Sequence, residues 1–108
     1  MTGPRRVHFR ETARQDSAPR PVFFVREASV RVAVEFLTAV ENAVIRLQGH
    51  PVIGRTRHFR SEKLHGLRSW PVPGFQRILI FYLPIPGGID VVRVIHASRD
   101  LPVVLAGA

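Results

Sequence analysis

No cysteine occurs in the 108 residues. That absence excludes disulfides, thiolate nucleophiles and cysteine-ligated zinc together. Lysine occurs once, at Lys63, and Trp70 and Tyr82 are the lone representatives of their types. No apolar run approaches the ~20 residues that span a bilayer. The first twenty residues hold Arg and polar groups but no apolar stretch of signal-peptide length, so a cytoplasmic location is the expectation. Acidic side chains are scarce as well. Eight Asp and Glu stand against sixteen Lys and Arg, a formal net charge of +8. An excess of this size implies an anionic partner, either nucleic acid or an acidic protein. Because nearly all of it is Arg, biased genomic composition is an equally plain source.

Signatures of catalysis are missing too. His8, His50, His58, His65 and His96 are scattered, with no i,i+4 helical pair and no carboxylate beside them, so no metal and no cofactor are expected. Ser17, Ser29, Ser61, Ser69 and Ser98 lack a nucleophile-elbow context. Pro86-Gly87-Gly88 is not followed by anything resembling a phosphate-cradling helix start.

What is present is enough for a folded domain. Hydrophobic residues make up 45% of the chain, which favours a packed core over disorder. The length fits one domain over residues 1–108, with 1–5 as a frayed tail. Arg6 to Arg10 alternates polar and apolar, a short strand that buries Val7 and Phe9. Ala33, Phe36, Leu37, Val40, Val44 and Leu47 recur at spacings of three and four, which predicts an amphipathic helix over about 30–48. Ser29 is its expected N-cap, and Gly49 followed by Pro51 its left-handed stop. Arg31, Glu35, Thr38, Asn42 and Arg46 fall on the other faces and should be wet. Further on, β-branched and aromatic residues predict strands over 67–72, 75–83 and 89–96. Pro71 to Gly74 and Leu83 to Gly88 read as the turns between them. In the last strand Val92 and Val94 share one face, with Val91, Arg93 and Ile95 on the other. Leu37, Val40, Val44, Ile80 and Val92 are the expected core. Arg55, Arg57, His58 and Arg60 form the densest basic run and read first as a solvated loop.

The ordered set Leu64-His65-Gly66-Leu67-Arg68-Ser69-Trp70, then Leu79-Ile80-Phe81-Tyr82, then Ile89 to Leu101 resembles the C-terminal half of the RelE/ParE superfamily of bacterial type II toxins, nearest the ParE branch. His50-Pro51-Val52-Ile53-Gly54-Arg55 resembles the family's link from helix to sheet. The resemblance spans residues 7–105 and is strongest from Gly54 onward. It implies an α+β fold in the order β-α-α-β-β-β, with two helices packed on a mostly antiparallel sheet. Ser17-Ala18-Pro19-Arg20-Pro21 departs from the family where its first helix should run. Proline inside a helix costs about 3 kcal/mol. The first helix is therefore expected late, from near Pro21 to about Ala28.

The same resemblance implies a toxin of a plasmid-stabilisation-like system that inhibits DNA gyrase by binding it. A cognate antitoxin, ParD-like or another small acidic DNA-binding protein, would neutralise it, and operator DNA would be contacted only through that antitoxin. The alternative is a RelE-like ribosome-dependent messenger RNA endonuclease, metal-free, for which Arg99, His96 and Arg68 would be the working residues. Glu62 is a further acid or base in principle. That outfit is incomplete here: the sheet lacks paired lysines, Leu105 stands near the position of the RelE-type tyrosine, and Tyr82 reads as a half-buried core residue. A degenerate, inactive toxin is the third possibility, raised by Pro19 and Pro21. Candidates for target or antitoxin binding are Arg68, Arg77, Arg93, Arg99, Leu101 and Leu105. Their plain structural reading is ordinary ion pairing, for example Arg99 with Asp90. Arg93, inside an apolar strand, must be paired or lie at a sheet edge.

Overall fold

The computed structural model describes residues 6–17 and 28–106. Five strands form one sheet in the order β1-β5-β4-β3-β2. They are β1 (Arg6–Phe9), β2 (Arg55–Thr56), β3 (Arg68–Val72), β4 (Phe75–Ile85) and β5 (Gly88–His96). The helices are α1 (Glu11–Ser17), α2 (Ala28–Gly49) and α3 (Leu101–Leu105), with a short 3-10 turn at Glu62–Leu64. Only the β1–β5 pair is parallel; the others are antiparallel. The expected α+β class and the strand-helix-helix-strand order both hold. The two-residue strand β2 and the helix α3 are additions to them.

The first helix is where sequence and structure part. A helix occupies Glu11–Ser17, ahead of the prolines, where none was expected. Arg14 N donates to Arg10 O at 3.0 Å to close its first turn, and Ser17 Oγ donates back to Ala13 O at 3.0 Å. Ala13 is fully buried, so a helix this short is held by tertiary packing rather than by its own length. The expected tail at 1–5 and the expected helix over 21–27 lie outside the described residues.

The second helix follows the 3.6-residue stripe. Phe36, Val40, Val44 and Leu47 are buried and packed on the sheet, together with Ala43, and Ala33 is buried as well. Leu37, expected in the core, is 36% exposed. It sits at the border of the stripe, and Ala43 takes the inward position instead. Ser29 is inside the helix, which begins at Ala28, and so is not its cap. Gly49 ends the helix without the left-handed conformation, which among the described glycines only Gly66, Gly74 and Gly87 adopt. The end is closed by His50 N donating to Arg46 O at 3.0 Å and Leu47 O at 3.2 Å.

β4 runs through Pro84 to Ile85, further than its composition suggested, and the turn is confined to Pro86-Gly87. Gly87, at φ 79°, supplies the backbone shape that a residue with a Cβ resists. A Cβ on the next residue, Gly88, would collide with the Arg6 backbone, so β1 approaches β5 only because that position is glycine. Midway along, the register steps from Phe81↔Arg93 to Tyr82↔Val91. This β-bulge leaves Val92 as the extra residue and breaks the expected alternation. Val91 and Val94 join the core under α2, whereas Val92 and Ile95 join a second core on the opposite face. That opposite face is covered by Phe59, Leu64, Leu67, Leu101, Val104 and Leu105. The sheet is thus clad on both sides. No helix among the described residues is long and apolar enough to cross a membrane.

Candidate binding surface

The candidate residues divide by what the fold does with them. Arg93 is committed to the fold. Its guanidinium grips Asp16 of α1, with Nε at 2.6 Å from Oδ2 and Nη2 at 3.0 Å from Oδ1. Arg68 is also occupied: its Nη1 donates to Val52 O at 2.9 Å and Gly54 O at 2.8 Å. Leu105 is fully buried in the second core, and Leu101 is half-buried against it. These positions build the surface and offer little of themselves to it.

Arg77 and Arg99 are different. Both are exposed, and neither guanidinium has a partner among the described residues. The fold brings them to one corner, where β4 begins and β5 ends. Ala97 N donates to Arg77 O at 2.7 Å, and Arg99 N donates to His96 O at 3.1 Å. His96 belongs to the same corner. Its Nδ1 lies 3.1 Å from Ser98 N and 2.7 Å from Ser98 Oγ. A backbone N–H can only donate, so Nδ1 accepts and the ring proton of the neutral imidazole is on Nε2. The corner therefore offers two free guanidiniums and one imidazole N–H, all donors. Donors of this kind are chemically complementary to anionic groups. The pairing of Arg99 with Asp90 does not occur, because Asp90 is taken by His8 Nδ1 at 2.9 Å and Arg10 Nη2 at 3.0 Å.

The basic run over 55–60 is less solvated than its composition suggests. Arg55, His58 and Arg60 are exposed. Arg57 instead lies 5.8 Å over the Phe81 ring and donates from Nε to Ser69 Oγ at 2.8 Å. Burial, and then Arg55, push its guanidinium below the ordinary arginine range. Cation–π contact of this kind contributes roughly 0.5–2 kcal/mol.

Tyr82 is the residue that sequence reasoning undervalued. It is fully buried, not half-buried. Its hydroxyl donates to Pro51 O at 2.7 Å and accepts from Gly54 N at 2.9 Å. Burial is the main cause that pushes the phenol pKa up, partly offset by the Gly54 hydrogen bond and by Arg68. Tyr82 and Arg68 together satisfy the backbone of the link from α2 to β2. The signal was available: a lone tyrosine in an apolar strand, with a Pro-x-x-Gly link elsewhere that needs backbone partners. Among the described residues no three His, Asp or Glu come together as a metal-holding group.

The family model for the ParE toxin of the type II toxin–antitoxin system parDE matches residues 7–101. No curated protein matches the chain.

Proposed function

The chain belongs to the ParE toxin family of type II toxin–antitoxin systems, and on that premise we propose that it acts by binding rather than by catalysis. Its target is DNA gyrase, and a cognate acidic antitoxin neutralises it by direct contact. The observation that carries this reading is the pair of guanidiniums at Arg77 and Arg99, unpartnered among the described residues, beside His96 on one exposed corner. A protein of net charge +8 that leaves these cations free has a surface suited to carboxylates or phosphates.

Part of the outfit for metal-free RNA cleavage is absent or employed otherwise, which favours the inhibitor over the ribonuclease, although Arg99 and His96 stay open at the corner. Such a reaction needs a base for the 2′-hydroxyl and an acid for the leaving oxygen. The only tyrosine is buried and fully hydrogen-bonded. Leu105 is a core residue, and Arg68 holds the link before β2.

The test uses purified chain in two assays, gyrase supercoiling and cleavage, and ribosome-dependent cutting of messenger RNA. Altered gyrase activity, reversed by the antitoxin, is the expected result. Codon-dependent messenger RNA cuts that disappear in Arg99→Ala would replace this reading with the RelE-like one.

A further inference from the structure

The long helix α2 carries two apolar stripes, and the fold uses one. The second consists of Val30, Val34, Leu37 and Ile45. Val30, Val34 and Ile45 are 69%, 60% and 64% exposed. Their spacings of four, three and eight residues place them on one side of the helix, with Glu41 between Leu37 and Ile45. Isolated exposed apolar residues need no explanation, but an ordered stripe along one helix does.

Charge indicates what covers it. The chain carries +8, yet the only charged residues of α2 are Arg31, Glu35, Glu41 and Arg46, two of each sign. The helix is neutral in a strongly basic protein. Arg31 and Glu35 pair with each other at 3.2 Å, and Arg46 lies 5.7 Å over the Trp70 ring. An acidic partner gains little electrostatic steering here, whereas a neutral apolar stripe is where two copies of a basic chain can meet with least repulsion.

The stripe is also self-complementary. Antiparallel packing that sets Val30 against Ile45 of a second copy sets Val34 against Glu41 of that copy and brings the two Leu37 side chains together at the two-fold axis. Glu41 then lies three residues, about 4.5 Å along the axis, from Arg31 of the second copy. Each copy thus supplies both ends of the ion pair, as an isologous interface requires. A helix of 22 residues is about 33 Å long. Two such helices side by side can bury on the order of 1,000 Å², the lower bound for a specific interface.

We propose that this protein forms an antiparallel homodimer through the outer stripe of α2, centred on Leu37, with Val30 packed on Ile45 across the two-fold axis. The affinity is modest, with a dissociation constant on the order of micromolar. Salt should strengthen it, because screening removes the repulsion between two bodies of like charge. The toxin–antitoxin contact proposed above has the opposite salt response, so the two ideas fail separately.

The test is sedimentation equilibrium of the antitoxin-free chain over about 1–200 μM at low and high salt. A monomer–dimer equilibrium that tightens with salt is expected. Ile45→Glu should weaken it at least about tenfold, as should Arg31→Glu, while Arg31→Glu with Glu41→Arg restores it. The positions are exposed, so melting curves should show these variants folded. Absence of native cysteine allows a second readout. Val30→Cys with Ile45→Cys should give a disulfide-linked dimer, and neither single variant should. Fifteen residues of helix separate the two positions by about 22 Å, which rules out an internal bridge. A chain that stays monomeric throughout, a dimer indifferent to Ile45→Glu, or cross-linking by the single variants would overturn the proposal.

Discussion

Asp16 holds Arg93 and the backbone of the next residue with one carboxylate. Oδ2 accepts from Arg93 Nε at 2.6 Å and from Val94 N at 3.0 Å, and Oδ1 accepts from Arg93 Nη2 at 3.0 Å. β1 pairs with β5 only as far as Val91. Beyond it α1 takes over the edge, with Thr12 Oγ1 donating to Val92 O at 3.2 Å and Asp16 capping Val94 N. Two side chains one helical turn apart thus finish a strand edge that no strand covers, which also guards it against pairing with other chains.

Asp16→Ala should therefore be costly. It leaves a largely buried guanidinium and a strand N–H without their acceptor, at about 3 kcal/mol. For a domain of this size that lowers Tm by roughly 15 °C. Asp16→Asn keeps an acceptor oxygen and should lose less. Thermal melts of both decide it; an unchanged Tm in Asp16→Ala would mean that α1 does not secure the edge.

Tyr82→Phe removes a hydroxyl that satisfies both Pro51 O and Gly54 N. About 1–3 kcal/mol of stability should go with it. The pH dependence has a definite sign. Burial raises the folded-state pKa of Tyr82, so the folded state holds its proton where the unfolded chain has begun to release it. This contribution is whole below the unfolded value of ~10 and is lost as pH rises above it. Urea titrations from pH 8 to pH 11 should show a steeper alkaline decline in the wild type than in Tyr82→Phe. Parallel profiles would contradict the buried-phenol account.

Gly54 cannot carry a side chain while Tyr82 is in place. A Cβ there would come within 2.7 Å of Tyr82 Cε1, closer than atoms tolerate. Gly54→Ala should destabilise by several kcal/mol through overpacking, read as a reduced urea midpoint. A neutral effect would show that the link from α2 to β2 shifts freely.

Two leucine-stripe neighbours should behave oppositely, even though they repeat at helical spacing. Val40 is 1% exposed and Leu37 is 36% exposed. Val40→Asp buries an unpaired carboxylate and should cost several kcal/mol. Leu37→Ser, measured at monomeric concentrations, should cost well under about 1.5 kcal/mol. Equal losses in chemical denaturation would restore Leu37 to the core.

Arg77→Glu and Arg99→Glu should leave stability within about 0.5 kcal/mol, since both side chains are exposed. Toxicity on induced expression should fall, and antitoxin association should slow severalfold at low salt as steering is lost. Undiminished growth arrest together with wild-type association would remove the basic corner from the proposed contact.

Periodicity and turn chemistry by themselves determined the long helix, the three C-terminal strands and the α+β class. Each follows from interactions among residues close in the chain, which a stripe such as Ala33, Phe36, Val40, Val44 and Leu47 reports directly. The ordered motifs from Gly54 onward likewise carried the family. Tertiary structure decided the rest. The bulge at Val92 moves side chains from one core to the other, and period-two alternation has no means of announcing it. The first helix forms before the prolines because Ala13 finds a buried site and Asp16 finds β5, contacts that span nearly the whole chain. Arg93, Arg68 and Tyr82 are occupied by residues 14 to 77 positions away, whereas Arg77 and Arg99 are left free among the described residues. Which of several similar arginines becomes a structural tie and which remains a binding group depends on who arrives opposite it in space. Local sequence does not encode that, because the choice is made only when the strands and helices pack.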